Sequence, residues 1–374
     1  MTSPSSSSAA ATERNAGMRP WIAPIFLAHL GCIHRCVFCN QYEITGSPCA
    51  PTPQGVRERL ESFFRARKDR RPASVRQIAF YGGSFSRLNV ALQEDYLGIA
   101  REYVQRGWVD SIRISTRPDA LSEGQITLLR RGCVRTVELG IQSLSDRVLA
   151  ASRRGHSRRD SLEAIGRLRE AGFEVGAQMM LGLPGDRGAE SLETAEVLCA
   201  VKPDFVRIYP VLVLRGTELA ARMQEGLYRP LDLEEAVSLG ARLLERFDSA
   251  SIPVIRIGLQ ETDGLGPQGG SVLAGPHHPA FGHLVRSSSY YRKMLSALAQ
   301  RPSSSASIRF RIHPRDRSLL CGHQGIHAPL LRRESGVSTI EIEEDESVPR
   351  GHVECADPSG RMGGRKRTGA WRIS

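Results

Sequence analysis

The stretch PIFLAHLGCIHRCVFC occupies residues 24–39 of the chain. Its first half, residues 24–31, is an apolar run with β-branched and aromatic side chains, which predicts a buried strand. Cys32, Cys36 and Cys39 follow in a CxxxCxxC pattern. A structural zinc site normally has four closed protein ligands, whereas three thiolates on one short loop suit a 4Fe–4S cluster that keeps one iron open. We therefore predict that these cysteines bind such a cluster and that chemistry takes place at the open iron.

Two other interpretations of the cysteine loop stay open at this point. One is a zinc site with Cys49 or His34 as the fourth ligand, and the other is a chance grouping of buried cysteines. Disulfide bonds are disfavoured, because eight cysteines in 374 residues is ordinary usage and nothing resembles a secretory signal.

The segment from Cys32 to Cys39 is similar to the cluster loop of radical S-adenosylmethionine (SAM) enzymes, and the aromatic Phe38 before the last cysteine also fits. This resemblance implies two cofactors, a 4Fe–4S cluster and SAM, whose amino and carboxylate groups chelate the open iron. It implies that an electron cleaves SAM to methionine and a 5′-deoxyadenosyl radical, which abstracts hydrogen from a substrate. The expected electron source is a partner reductant of the ferredoxin or flavodoxin type.

Composition limits the remaining classes of function. The chain has room for one large domain and a smaller one, and 40% of its residues are hydrophobic. The longest apolar runs are strand-sized, so we expect no membrane segment and a cytoplasmic protein. The net charge of +11 is typical of a protein with a polyanionic partner such as RNA, or of an arginine-rich genome.

Short apolar runs alternate with helical patterns from Pro24 onward, which predicts six βα units and a parallel sheet. An open doubly wound sheet would satisfy this α/β pattern as well. The resemblance selects a partial (β/α)6 barrel of the TIM type, in which chemistry sits where strands end and helices begin. The six expected strands cover residues 24–31, 75–81, 111–116, 136–141, 175–181 and 205–209.

Motifs at the ends of the second and third strands supply the first candidate cofactor contacts. Gly82, Gly83 and Ser84 follow the second strand, and paired glycines let a backbone approach a ligand closely. By resemblance this turn binds the methionyl amino group of SAM. Ser115 ends the third strand in Ser-Thr-Arg-Pro-Asp, where relatives usually carry a glutamate. A serine still offers a hydrogen bond to SAM but no charge.

The fourth and fifth strands supply four more candidates. Glu138 is an acid inside an apolar run, where an unpaired charge is costly. It is therefore either paired structurally or aimed into the barrel mouth, and we expect the latter. The resemblance implies that Gln142 contacts the SAM ribose or carboxylate, Arg154 the carboxylate and Gln178 the ribose, and a guanidinium fork suits a carboxylate well.

Several separate motifs across residues 21–285 resemble the radical SAM part of the catalytic subunit of Elongator, a tRNA wobble-uridine modifying enzyme. About 90 residues follow, too few for the acetyltransferase domain of that subunit together with its connection, so the chain resembles the shorter relatives that lack it. The resemblance favours a tRNA nucleoside as substrate. The alternatives are a small metabolite and a non-catalytic iron–sulfur protein that binds RNA.

We expect five consecutive segments along the chain. They are a disordered N-terminal tail at 1–20, the barrel at 21–262, a helical connector at 263–302, a small α+β segment at 303–358 and a basic tail at 359–374. In the α+β segment a GxxG sequence, Gly322 to Gly325, lies between two helical stretches flanked by strands. This order is similar to a minimal KH RNA-binding module, and the alternative is a small domain that caps the barrel.

Overall fold

A computed structural model describes residues 21–45, 49–66, 75–259, 265, 270–299, 307–356 and 370–373. The predicted tail at 1–20 and the basic run 361–367 lie outside these residues. The strands are β1 Trp21–Phe26, β2 Arg76–Tyr81, β3 Ser111–Thr116, β4 Val134–Gln142, β5 Glu174–Leu181, β6 Phe205–Pro210, β7 Val213–Leu214, β8 Val254–Ile257, β9 Val272–Ala274, β10 Ser307–Ile312, β11 Thr339–Glu344, β12 Val353–Ala356 and β13 Ala370–Ile373.

The α-helices alternate with these strands over most of the chain. They are α1 Gln41–Thr45, α2 Pro53–Ala66, α3 Val90–Gln105, α4 Glu123–Arg131, α5 Asp146–Ala151, α6 Arg158–Glu170, α7 Ala189–Val201, α8 Glu218–Gln224, α9 Leu233–Ser249, α10 Phe281–Ala299, α11 Arg317–Cys321 and α12 His327–Ser335. Capping boxes mark the starts of two of them: Ser157 with Asp160 precedes and opens α6, and Asp232 with Glu235 does the same for α9.

The main sheet has the order β1-β2-β3-β4-β5-β6-β8, and every neighbouring pair is parallel. It curls into a half-barrel, which confirms the predicted α/β fold of the partial TIM type. The sequence predicts six strands, and β8 extends the sheet by a seventh. β8 is only four residues long and carries Arg256 in its middle, so it lacks the long apolar run by which the other strands were found.

Side chains alternate between the two faces of this sheet. Ile78 and Phe80 on β2 belong to one large apolar core with Tyr96 and Leu97 of α3, so this face is the convex one, covered by helices. The intervening positions, such as Gln77 and Tyr81 on the same strand, line the concave face. The same alternation places Arg113, Glu138 and Arg207 of β3, β4 and β6 on the concave side.

The C-terminal residues form a second sheet in the order β12-β10-β11-β13, with its own apolar core. Helix α10 joins the two cores, because Val285 packs into the barrel core and Met294 into the second one. The predicted order of strand, helix, GxxG, helix and strand is present as β10, α11, Gly322 to Gly325, α12 and β11. Pro329 is tolerated because it lies in the first turn of α12, where a helix leaves backbone N–H groups unpaired.

One expectation for the C-terminus was wrong in part. Residues 370–373, assigned to a basic tail, form β13, which pairs antiparallel with β11. The strand is only four residues long. The basic run 361–367 just before it determines the composition of this part of the sequence, so the sequence predicts a basic tail. Among the described residues, no helix has the length and hydropathy needed to cross a membrane.

Candidate active site

The cysteine loop leaves the carboxyl end of β1 and folds back in two tight turns. The amide of Cys32 donates to the carbonyl of His29 at 3.1 Å, and the amide of Cys39 donates to that of Cys36 at 3.0 Å. Cys36 is 9% exposed, while Cys32 and Cys39 are half-buried. Because the carboxyl ends of parallel strands meet at one edge of a sheet, the loop lies at the same edge as the motifs that end the following strands.

The three thiols lie within electrostatic reach of one another. Burial, followed by the charges of Cys36 and Cys32, raises the pKa of the Cys39 thiol to about 12. Burial and then Cys36 raise the pKa of Cys32, whereas Arg154 and Arg117 lower it. Within the described ranges, no three His, Cys, Asp or Glu side chains are close enough together to hold a metal ion as they stand.

The donor set fits an iron–sulfur cluster better than the zinc alternative. Three thiolates are the ligands that such clusters take, and the Arg154 guanidinium beside them favours the thiolate form. The two candidate fourth zinc ligands have other surroundings. The His34 ring packs against Gly155, where an added Cβ would lie 2.5 Å from His34 Cδ2, and Cys49 is exposed to solvent.

The glycine turn after β2 packs directly against the cysteine loop. Gly82 and Gly83 have φ of +75° and +59°, which favour glycine. A Cβ on Gly83 would lie 2.2 Å from the carbonyl oxygen of Leu30 and 2.6 Å from that of Leu27. The absent side chain thus permits the close approach of the two segments, which fixes the predicted cofactor-binding turn relative to the thiols.

Gln41 joins the same two segments, a role that the sequence pattern does not predict. Its Oε1 accepts from the amide of His29 at 2.7 Å and from that of Gly83 at 2.8 Å. The Gln41 amide also hydrogen-bonds the thiol of Cys39, which lowers the pKa of that group. A glutamine two residues after the last cysteine has no local signal, because its partners are twelve and 42 residues away.

Arg154 lies between the thiols and the end of β4. Its Nη1 donates to Cys36 Sγ at 3.0 Å and its Nη2 to the carbonyl of Gly140 at 2.5 Å. The Nε atom is buried and has no hydrogen-bond partner among the described residues. Arg117 donates to the backbone carbonyl of Arg154 and forms a two-point ion pair with Asp119 at 2.9 and 3.1 Å. This second arginine, in the predicted Ser-Thr-Arg-Pro-Asp motif, positions the first.

Gln142 and Gln178 meet above Gly140. The Nε2 of Gln178 donates to Oε1 of Gln142 at 3.3 Å. Gln142 sits at an irregularity between β4 and β5 and has φ of +68°, a strained conformation of the kind found at functional sites. A Cβ on Gly140 would lie 3.1 Å from Gln142 Nε2 and 3.3 Å from Arg154 Nη2. Gly140 therefore leaves room for three predicted residues to converge.

Two predicted serines differ in their surroundings. The Ser84 side chain is fully buried and lies 3.1 Å from the hydroxyl of Thr116, which also contacts Ser86 at 2.5 Å. This hydroxyl cluster ties the glycine turn to the end of β3, so a cofactor would meet the backbone of Ser84 rather than its hydroxyl. Ser115 lies on the concave face of β3 beside Glu138 and is partly exposed.

Glu138 corrects an expectation from the sequence. It does face the concave side, but it is 1% exposed and its two oxygens are taken by guanidinium groups, Arg113 Nη1 at 2.7 Å and Arg207 Nη1 at 2.5 Å. The paired interpretation is therefore the observed one, and Glu138 has no free oxygen to offer a cofactor. A surface cavity of about 410 Å³ lies between α3 and α4, on the convex side, and no thiol lines it.

Comparison with known proteins adds family membership to this geometry. Residues 28–198 match the Radical SAM superfamily, and residues 203–291 match a Radical SAM C-terminal domain. The chain belongs to the radical SAM superfamily. Proteins of this superfamily are enzymes known to bind a 4Fe–4S cluster and SAM, and the matched region of the chain contains the cysteine loop and every other candidate contact.

Relatives of this radical SAM chain match it over different lengths. An uncharacterized protein of Methanocaldococcus jannaschii is 28% identical over 229 residues, which are 58% of this chain and 69% of the relative. The tRNA uridine(34) acetyltransferase of the same organism is 38% identical over 130 residues, 34% of this chain and 24% of the relative. Human Elongator complex protein 3 is 34% identical over 137 residues, which are 36% of this chain and 25% of the relative. The chain thus spans about a quarter of the two named relatives.

A solved structure supports the radical SAM fold. Archaeal Elp3 of Methanocaldococcus infernus, with an N-terminal deletion, superposes with a TM-score of 0.54 at 22% identity, covering 74% of this chain and 63% of that one. At this identity the likeness concerns the fold.

Proposed function

We propose that this enzyme binds a 4Fe–4S cluster through Cys32, Cys36 and Cys39 and uses it to cleave SAM. The observation that carries the proposal is the convergence of the cysteine loop with the candidate SAM contacts, through Arg154 Nη1 at 3.0 Å from Cys36 Sγ. A cluster held by these three thiolates would supply the electron needed to cleave SAM to methionine and a 5′-deoxyadenosyl radical, the species that would abstract hydrogen from the substrate.

The residues of the chain supply positioning. The backbone of Gly82, Gly83 and Ser84 is held against the cysteine loop and suits the methionyl amino group of SAM. Arg154 has a buried Nε without a partner among the described residues, which suits a carboxylate that accepts from a guanidinium. Gln142 and Gln178 already share one hydrogen bond and offer their remaining amide groups to a ribose. Ser115 lies on the same concave face, beside Glu138.

The proposed substrate is a nucleoside of tRNA. The net charge of +11 favours a polyanionic partner, and one relative is named for its action on tRNA uridine. The α+β segment has the strand, helix, GxxG, helix and strand order of the predicted RNA-binding module. The electron donor is proposed to be a small ferredoxin or flavodoxin.

The deciding experiment is anaerobic reconstitution followed by chromatography for 5′-deoxyadenosine, with and without bulk tRNA. Formation of the nucleoside that increases with tRNA is the expected result. Formation of 5′-deoxyadenosine that does not change with tRNA would support the radical chemistry and indicate a small metabolite as the substrate. A cluster-loaded, reduced protein that forms none would contradict the proposal and favour an iron–sulfur protein that only binds RNA.

A further inference from the structure

The guanidinium of Arg207 crosses the concave face of the half-barrel. Arg207 belongs to β6, yet its Cζ lies 5.3 Å from the ring centre of Tyr81 on β2 and 5.5 Å from that of Tyr209 on its own strand. Below it, the Phe205 ring lies over Gly176, where an added Cβ would be 2.2 Å away. Arg207 and the two tyrosines thus form a floor, closed underneath and open toward the strand ends.

This floor has an excess of positive charge. Arg113 and Arg207 share the single carboxylate of Glu138. Arg256, the register partner of Arg207 on β8, adds a third guanidinium on the concave face. Among the described residues of the sheet, Glu174 is a second carboxylate on this face, where it lies at the amino end of β5 and accepts a hydrogen bond from the Thr136 hydroxyl. Because these charges lie in a largely buried site, an anion there is stabilised more than it would be at the surface.

The floor also presents hydrogen-bond donors. Burial raises the pKa of Tyr81 to about 12 and raises that of Tyr209, so both phenols keep their protons. The Nε of Arg207 is buried and has no partner in the described parts of the chain. The Arg207 side chain is 16% exposed, so the guanidinium is not sealed from a ligand that enters from the strand ends. These groups donate hydrogen bonds, so they suit an acceptor-rich ligand.

The floor adjoins the proposed SAM position without being part of it. Arg207 is the register partner of Gln178 on the neighbouring strand, so the two side chains are adjacent on the concave face. At the opposite side, the half-exposed ring of Phe26 lies 6.0 Å from that of Tyr81. A molecule on this floor would therefore lie next to the ribose end of SAM, with an apolar surface at its other side.

We propose that Arg207, Tyr81 and Tyr209 form a subsite for an anionic oxygen group of the substrate, a carboxylate or a phosphate. The inference rests on the proposed function, because it places the substrate beside SAM. A guanidinium fork binds both kinds of group through paired hydrogen bonds. The subsite is the part of the site that selects substrates by charge, at a distance from the thiols.

The test is calorimetric titration of the cluster-loaded full-length protein, saturated with SAM, with inorganic phosphate and separately with acetate. We expect one of the two anions to bind, and its identity distinguishes a phosphate substrate from a carboxylate substrate. Arg207→Gln should weaken binding at least about tenfold, and Tyr81→Phe or Tyr209→Phe about fivefold. Arg76→Gln, at the amino end of β2 and paired with Asp110 near the surface, is the matched control and should not change it.

The tyrosine variants keep their rings, so they test the subsite even where Arg207→Gln folds poorly. Equal binding by the wild type and the three site variants would overturn the inference. Binding that occurs only without SAM would also overturn it, since the anion would then occupy the place of the SAM carboxylate. A lack of binding of both anions would overturn it as well. Formation of 5′-deoxyadenosine by the same wild-type preparation reports on the proposed function separately, so a failure of one can be told from a failure of the other.

Discussion

Arg154 Nη1 lies 3.0 Å from the sulfur of Cys36, although 118 residues separate the two in the chain. The contact connects the loop after β1 to the loop between α5 and α6. The same guanidinium also bonds the carbonyl of Gly140 at 2.5 Å. A single side chain thereby links a proposed cluster ligand to the proposed SAM contacts, so Arg154 is the residue whose replacement should affect both.

Replacing Arg154 with glutamine should have two measurable effects. The Michaelis constant for SAM should rise about tenfold or more, because a hydrogen bond to a charged group contributes about 1.5–3 kcal/mol. The reduction potential of the cluster should fall, because N–H···S hydrogen bonds and nearby positive charge favour the reduced form. Steady-state kinetics and a redox titration followed by electron paramagnetic resonance, without SAM, measure the two.

Arg153 offers a matched control for this variant. It precedes Arg154 directly, its side chain is 63% exposed, and it pairs with Glu218 at the surface. Arg153→Gln should change neither the Michaelis constant nor the potential. An unaltered potential in Arg154→Gln would show that the contact with Cys36 is lost once the cluster is bound.

The cysteines themselves separate the cluster from a zinc site. Replacement of Cys32, Cys36 or Cys39 with alanine should abolish iron and sulfide binding, because each supplies one of three ligands. Cys49→Ala should leave both unchanged, since Cys49 is exposed and outside the loop. Metal analysis after anaerobic purification measures the outcome. If the wild-type protein instead contains one zinc ion per chain and Cys49→Ala loses it, the loop forms a four-ligand zinc site and not a cluster site.

Gly83→Ala should disrupt the site by collision. Its Cβ would lie 2.2 Å from the Leu30 carbonyl oxygen, in addition to the cost of a left-handed residue, about 1–2 kcal/mol. Gly107→Ala has a similar φ of +67° and open space around the new Cβ, so it should show the conformational cost alone. Urea unfolding of both variants compares them, and an equal loss of unfolding free energy would mean that the turn yields without strain.

Glu138→Gln should be one of the most destabilising single changes in the barrel. It leaves two buried guanidinium groups without a charge partner, and breaking a buried pair in this way costs about 3–5 kcal/mol. Glu196→Gln is the control, since its pair with Arg246 is about half exposed on each side and is worth at most about 1 kcal/mol. If urea unfolding gives the two variants the same stability, the Arg113–Glu138–Arg207 network does not hold the barrel together.

Local sequence pattern was sufficient where an element is long and regular. Strand Ser111–Thr116 has the bounds predicted from its apolar run. The cysteine spacing and the glycine turn were found in the same way. These features depend on residues that are neighbours in the chain.

The remainder of the site depends on contacts between distant residues. The partners of Glu138 are 25 and 69 residues away, and the local sequence around Glu138 does not predict which residues pair with it. Alternation on β3 and β6 does place Arg113 and Arg207 on the concave face, so this signal could have been combined with the register once the sheet order was known. Gln41 has no such signal in the sequence, because its role comes from one side-chain oxygen that accepts from two separate backbone segments.

The last prediction concerns acid stability. Burial, followed by the charges of Arg154 and Arg117, lowers the pKa of His156 to about 3. The unfolded chain takes up a proton near pH 6.5, so between about pH 6.5 and 3 the unfolded state binds more protons and stability falls as the pH falls. Above pH 6.5 the two states bind equally and His156 contributes no slope. The contribution is at most about 1.4 kcal/mol per pH unit.

His156→Gln should remove this slope, because glutamine does not titrate and its amide nitrogen can replace Nε2, which lies 3.2 Å from the Ile141 carbonyl. Urea unfolding of the cluster-free protein at about pH 7, 6 and 5 measures it, and the exposed His352 replaced with glutamine is the control. The wild type and His352→Gln should lose stability over this range faster than His156→Gln does. Parallel curves for all three would show that His156 gains a proton in the folded protein, by opening of the loop that carries it, and would locate a flexible segment directly beside Arg154.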